Sequence, residues 1–285
     1  MNHLNVKLAP GLYFVATPIG TARDITLRAL DVLASADVLA AEDTRSLRKL
    51  MEIHGVPLAG RRIIAYHDHS GGGAQAKLLE EVAAGKSVAY ASEAGMPLIA
   101  DPGFELSRAA AEAGHMVTCA PGPVAAATAL TLAGLPTDAF FFAGFLPNAS
   151  AARKRRLEEL REIPGTLIFY ESPKRVAASL ADMAAVLGNR PAALCRELTK
   201  KFEEVRRAPL ADLAANLAEH PVKGEIVLLV DRVQAAEVSE RDLQSDLQAA
   251  LQDNSVKDAA AIVAELHGLP RRKVYQLALQ QAKEG

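Results

Sequence analysis

Tryptophan is absent, and aromatic residues make up only 5% of the 285-residue chain, so its cores must be built largely from Ala, Leu and Val. Only two cysteines occur, Cys119 and Cys195, each inside an apolar run. No disulfide framework is therefore expected, and a reducing cytoplasm is the expected compartment. No apolar run approaches the roughly 20 residues needed to cross a bilayer. Residues 1–9 carry one lysine and no apolar core, so no secretory signal is expected there. Charge of one sign is not in excess either: 32 basic residues face 34 acidic ones. That balance excludes a uniformly basic nucleic-acid wrapper but leaves room for local basic patches. What the chain does have is apolar mass, at half of its residues, which rules out a disordered or collagen-like polymer. The length corresponds to roughly two domains of about 150 residues.

Strand-like apolar runs at 12–16, 38–41, 62–65, 87–91 and 116–119 alternate with helix-period segments at 24–34, 44–54, 75–84 and 104–113. This alternation predicts a parallel sheet covered on both faces. Pro121-Gly122-Pro123 then punctuates the chain, and a helix restarts at 124–133. A second α/β set follows, with strands at 140–143, 166–170, 192–196 and 225–230 and helices at 151–162, 175–187 and 210–219. The reading gives an N-terminal α/β domain over 1–121, a C-terminal α/β domain over 122–233 and a cleft between them, the preferred place for a ligand. Residues 234–285 form a third part: a Gln/Ala-rich linker helix, then helices at 255–266 and 271–281 around His267-Gly268-Leu269-Pro270. That pattern reads as helix-turn-helix or as a plain helical hairpin. Across 255–285, Lys257, Arg271, Arg272, Lys273 and Lys283 outnumber Asp258, Glu265 and Glu284.

Three turns end strands of the first domain: Thr17-Pro18-Ile19-Gly20, the Ser92-Glu93-Ala94-Gly95-Met96-Pro97 loop leading to Asp101-Pro102-Gly103, and Pro121-Gly122-Pro123. Glycine permits close backbone approach and proline stiffens the turn, so together they make a rigid small-residue surface for a flat ligand such as a nucleoside. Glu42-Asp43-Thr44-Arg45 follows the second strand and offers carboxylates and a guanidinium at the same edge, although a helix cap explains Asp43 or Thr44 alone. His67-Asp68-His69 reads as a substrate loop or as two metal ligands lacking a third and fourth, so no metal is expected. Ser70-Gly71-Gly72-Gly73 reads as a loop or a ligand lid. Gly85-Lys86-Ser87 is no phosphate loop, because Glu80 stands where the first glycine is required. Basic clusters at Arg153-Lys154-Arg155-Arg156, Lys174-Arg175 and Lys200-Lys201 point to an anionic partner, with phosphate backbones the commonest large one.

These motifs also carry a resemblance. Leu12-Tyr-Phe-Val-Ala-Thr-Pro-Ile-Gly20, Ala41-Glu-Asp-Thr-Arg45, Pro97-Leu-Ile-Ala-Asp-Pro-Gly103, Pro121-Gly-Pro123, Gly144-Phe-Leu-Pro147, Thr166-Leu-Ile-Phe-Tyr-Glu-Ser-Pro173 and Arg196-Glu-Leu-Thr-Lys200 resemble, in order, the ribosomal RNA methyltransferase branch of the tetrapyrrole methylase superfamily. The resemblance implies two α/β domains of that type with a helix-turn-helix-like extension, and a homodimer that takes S-adenosylmethionine as methyl donor and 16S rRNA or the 30S ribosomal subunit as partner, with no membrane. It implies methylation of a cytidine 2′-oxygen in the decoding centre. Carried over by position, the donor contacts are Ile19, Gly20, Glu93, Met96, Val124, Ala125, Phe169, Tyr170, Arg196 and Gly224. Asp43, His67, Glu171 and Lys200 are the candidates for the general base, because each follows or ends a strand expected at the cleft. The expected RNA contacts are Arg45, Arg153, Lys154, Arg155, Arg156, Lys174, Arg175, Lys201, Arg271, Arg272 and Lys273. Where the relatives carry Asp, Thr and Ser, this chain has Glu93, Met96 and Val124, which lengthens one carboxylate and removes two hydroxyls. A tetrapyrrole acceptor and a non-catalytic RNA-binding assembly factor are the alternatives.

Overall fold

Every residue of β1 (Gly11–Val15) is buried, because it is flanked on both edges and both faces. It runs parallel between β4 (Ser87–Ala91) and β5 (Val117–Ala120). Beyond β4 lie β2 (Val38–Ala41) and the edge strand β3 (Ile63–Ala65), completing an all-parallel sheet in the order β3-β2-β4-β1-β5. The pleat sends Tyr13, Val15, Leu39 and Ala89 to a face covered by α1 (Leu27–Ser35) and α2 (Thr44–Ile53). Leu12, Phe14, Val88 and Tyr90 go to the other, under α3 (Gly72–Ala83) and α4 (Phe104–Glu112). Helix α1 starts three residues later than its apolar period suggests, because residues Ala22–Asp24 form a single 3-10 turn. The Thr26 hydroxyl then caps α1 by accepting from the Ala29 N–H at 3.1 Å.

The chain is described from a computed structural model at residues 2–67, 72–233, 240–267 and 269–284. Asp68, His69, Ser70, Gly71 and Gly268, all part of sequence expectations, lie outside the described residues. Contacts divide the chain into two compact units, 1–232 and 233–285, and both sheets belong to the first.

After α5 (Ala125–Ala133), the second sheet comprises β6 (Phe140–Phe145), β7 (Thr166–Glu171), β8 (Pro191–Arg196), β9 (Glu204–Pro209) and β10 (Ile226–Val230), in the order β6-β7-β10-β8-β9. Only β6 and β7 pair in parallel; the other three pairs are antiparallel. One face packs against α6 (Ser150–Leu160), α7 (Val176–Leu187) and α8 (Leu210–Glu219). The other packs on α5 and also receives Ile19 from the loop after β1, so the two sheets meet at an apolar contact. Strand β9 was not anticipated: it is a charged edge strand, Glu-Val-Arg-Arg-Ala-Pro, that pairs only with β8.

The second unit holds α9 (Glu240–Asp253), α10 (Val256–Leu266) and α11 (Arg271–Glu284) around Leu243, Leu247, Ala260, Val263, Val274 and Ala278. Ser255 caps α10 by accepting from Asp258 N–H at 3.2 Å. Among the described residues no helix is long and apolar enough to cross a membrane.

Candidate active-site cleft

Where β1, β4 and β5 end, the first sheet faces β7 and β10 of the second across a cavity of about 370 Å³. That size falls within the ~300–1,000 Å³ of small-molecule sites. Ile19, Gly95, Met96, Val124 and Ala125 form the first-sheet wall, and Phe145, Tyr170, Leu198, Gly224 and Val227 the opposite one. Among the described residues its charged lining is Asp101, Glu171 and Glu225, all acids.

The loop after β4 is fixed by a two-way bridge: Thr17 N–H donates to the Gly95 carbonyl at 2.9 Å, and Gly95 N–H returns the bond at 3.0 Å. Further along, Leu98 (φ 71°) and Ala100 (φ 61°) take left-handed conformations that side chains disfavour. Such strain persists only where surrounding structure enforces it, and it clusters at functional sites. The loop delivers a half-buried Asp101 into the cavity. Burial, with the nearby negative charges of Glu42 and Glu93, pushes the Asp101 carboxyl up to about 7. Tyr170 packs its ring edge-on to Phe142 at 4.8 Å and Phe145 at 5.7 Å. Its hydroxyl accepts the Ala126 N–H at 3.3 Å. Burial raises the Tyr170 pKa, with the Asp101 charge adding to the rise against the Ala126 bond.

Of the expected donor contacts, Ile19, Met96, Val124, Ala125, Tyr170 and Gly224 line this cavity. Gly20 and Glu93 lie instead on an adjoining open groove with Thr17, Asp43, Arg45 and Lys49. A Cβ on Gly20 would collide with Thr199 Oγ1 and lie 2.8 Å from the Leu198 carbonyl oxygen, which explains the glycine as a close approach between the two halves. Two other expected positions do not line the cavity. Phe169 is fully buried among the residues under α6–α8, because the pleat of β7 sends it to the face opposite Tyr170. Arg196 is spent on Glu204 at 3.1 Å and on the Lys223 carbonyl at 3.1 Å, and does not line the cavity.

The candidate bases are dispersed. Asp43 caps α2, accepting from Arg45 N–H at 2.8 Å and from the Ser46 hydroxyl at 3.2 Å. The Arg45 backbone bond, opposed by desolvation, holds its carboxyl below the usual range. His67 is exposed beyond β3. Glu171 lines the cavity, but its carboxylate is saturated by Ser172 N–H (2.7 Å), Arg175 Nε (2.9 Å) and Ser179 Oγ (2.5 Å), which corrects its reading as a base. Lys200 is corrected too. Burial disfavours its charge, but bonds to Glu225 at 2.9 Å and Glu197 at 3.0 Å outweigh that and raise its pKa, so it holds its proton. Asp101, which the sequence offers only as part of an Asp-Pro-Gly turn, and Glu225 are the cavity carboxylates that sequence reasoning missed, and of the two Asp101 is the one not paired with a cation among the described residues. Its crowding by Glu42 and Glu93 arises from the sheet order, which no local pattern reveals.

Two of the expected RNA-binding arginines are structural. Arg153 is buried, with Nε on Asp182 at 2.7 Å and Nη1 on the Asn148 carbonyl at 3.0 Å. Arg175 holds Glu171 and the Leu146 carbonyl. Arg45, Lys154, Arg155, Lys174, Lys201, Arg271, Arg272 and Lys273 are exposed, and Arg156, half-buried, pairs with Glu159 at 2.7 Å. Among the described residues no three His, Cys, Asp or Glu side chains are placed to hold a metal ion.

A family model described as Tetrapyrrole (Corrin/Porphyrin) Methylases matches residues 11–214, and one described as RsmI C-terminal HTH domain matches residues 237–282. The chain is 46% identical to a protein of Mesorhizobium japonicum named ribosomal RNA small subunit methyltransferase I, covering 96% of this chain and 92% of that one. It is 44% identical to the protein of the same name from Vibrio cholerae, over 97% and 96% of the two chains. Among solved structures, a cobalt precorrin-4 methyltransferase superposes with a TM-score of 0.60 at 17% identity, over 77% of this chain and 94% of that one. A Thermus thermophilus uroporphyrin-III C-methyltransferase complexed with S-adenyl homocysteine gives 0.53 at 20% identity, over 77% and 97%. The likeness to the two solved structures is one of fold.

Proposed function

This chain belongs to the tetrapyrrole methylase family, among its ribosomal RNA small subunit methyltransferase I members, and from that premise we propose that it methylates the 2′-oxygen of a cytidine in the decoding centre of 16S rRNA, with S-adenosylmethionine as donor. One observation carries the donor assignment: a cavity of nucleoside-ligand size has carboxylates as its charged lining among the described residues, and Asp101, the one not paired with a cation, suits a cationic sulfonium. Ile19, Met96, Val124 and Ala125 supply apolar walls for such a ligand, and Gly95 and Gly224 bring backbone to it without side chains. The group supplies an activated methyl carbon when bound.

The chain's own residues have two tasks. The first is alignment of the ribose oxygen with that carbon, which can supply about 7–11 kcal/mol of the barrier. The loops around Gly95 and Leu198 support it, because each is tied to the segment after β1, the first through the Thr17–Gly95 bridge and the second through the Thr21–Thr199 hydrogen bond. The second is recognition of the RNA backbone, proposed for Arg45, Lys154, Arg155, Arg156, Lys174, Lys201, Arg271, Arg272 and Lys273. The reading includes the 30S subunit as the form of the substrate, a cytoplasmic setting and a homodimer, which sedimentation at micromolar concentration tests.

Calorimetric titration with S-adenosylmethionine tests the donor site. The expected result is one site per chain, abolished by Ala125→Trp, which fills the cavity; no binding by a folded wild-type chain overturns the reading.

A further inference from the structure

Three carboxylates line the cavity, and two are committed. Glu171 accepts from Ser172, Arg175 and Ser179, and Glu225 is paired with Lys200 at 2.9 Å. Asp101 accepts no hydrogen bond and pairs with no cation among the described residues, although it is half-buried in the same cavity as Tyr170, Val124 and Ala125. A carboxylate in that position gives up part of its hydration without a hydrogen bond in return, which disfavours its charged form. The left-handed backbone at Leu98 and Ala100 adds to the cost of presenting it there. Both costs fall on the segment that carries Asp101 to the cleft.

Resting on the methyl-transfer reading above, we propose that Asp101 is the general base that removes the proton from the attacking ribose hydroxyl. Asp101 takes the hydroxyl proton as the oxygen forms its bond to the methyl carbon. The carbon–sulfur bond breaks with its electron pair left on sulfur. The products are the methylated ribose, a neutral thioether and a protonated Asp101, which returns its proton to water. Among the described residues, the titratable groups that face Asp101 are Glu42 at the end of β2, Glu93 after β4 and Tyr170 on β7, while Glu171 and Glu225 line the same cavity. Burial in the cavity first, and then the charges of Glu42 and Glu93, make its ionised form a stronger base than an ordinary aspartate, and its titration near neutrality matches the pH at which a base is most effective.

The test is single-turnover transfer of labelled methyl to small ribosomal subunits across the pH range, with donor affinity measured in parallel. Wild type is expected to gain about tenfold in rate per pH unit below the Asp101 pKa and to level off above it. Asp101→Asn, which keeps the side-chain shape, is expected to lose roughly 10²–10⁴-fold and the inflection, with donor binding retained. Glu93→Gln and Glu42→Gln are expected to move the inflection to lower pH, which a merely structural role for Asp101 would not produce. An Asp101→Asn protein that transfers methyl at the wild-type rate with the same profile overturns the assignment alone, and so does one that folds but no longer binds donor. A wild-type protein that binds donor and subunit but transfers nothing overturns the methyl-transfer reading, and the assignment with it.

Discussion

The backbone N–H of Thr21, just past β1, donates to Oγ1 of Thr199 in the loop after β8 at 3.1 Å, tying together chain segments 178 positions apart. The loop after β8 holds Glu197 (φ 50°) and Thr199 (φ 63°) in left-handed conformations, and Gly20 and Gly224 both lie against it. A Cβ on Gly224 would lie 2.5 Å from the Glu197 carboxyl carbon, at a φ of 93° that itself favours glycine. The cleft is thus held by a close crossing of two loops, with Leu198 between them on the cavity wall.

Gly20→Ala should force that crossing apart. Overpacking of this kind typically costs about 1–3 kcal/mol. The expected outcome is a lower urea midpoint together with weaker donor binding, read by denaturation and calorimetry on the same protein. Unchanged donor affinity would show that the crossing does not shape the cavity.

Arg153 and Arg155 are two positions apart in α6 and should behave as opposites. Arg153→Ala leaves the buried Asp182 with only Ser150 and the exposed Lys154 at 3.5 Å, so the loss should fall toward the lower end of the about 3–5 kcal/mol that breaking a buried pair costs. Arg155→Ala removes an exposed cation, so stability should hold while RNA affinity falls and its salt dependence flattens by about one phosphate contact. Thermal melts and filter binding at several salt concentrations separate the two.

Val124 occupies the N-cap position of α5 with no side-chain capping bond. Val124→Ser restores an oxygen there and is expected to stabilise the protein by about 1 kcal/mol, seen as a higher urea midpoint at constant slope.

Asp101 should also leave a signature in stability. Its folded pKa of about 7 lies above that of an unfolded aspartate, so the folded state binds its proton more tightly. Its contribution is therefore full at low pH and is lost as pH rises from about 4 through about 7. Asp101→Asn should melt above wild type at pH 8 and approach it as the pH is lowered through that window, which scanning calorimetry can follow.

Much of this was legible in the sequence where one residue type dominates one environment. The strands of the first sheet read as unbroken apolar runs because both faces are covered, and Val38–Ala41 and Ser87–Ala91 match their apolar runs end to end. Strand β9 did not, because an edge strand carries charge and offers no apolar run. Phe169 and Tyr170 show the next limit: their neighbourhood at the cleft follows from the motif, but which of the two rings faces the cavity depends on the pleat and on which face α5 covers. Arg153 shows another, since a basic run does not reveal that one of its members is folded inward onto Asp182. Asp101 acquires its chemistry from Glu42 and Glu93 only after the sheet is assembled.

The measurement that bears most directly on the central claim is transfer of labelled methyl from S-adenosylmethionine to small ribosomal subunits lacking the modification, with the labelled nucleotide mapped. The account predicts label on one cytidine 2′-oxygen in the decoding centre. Label on a base, on a tetrapyrrole supplied in competition, or on nothing despite binding of donor and subunit would contradict it.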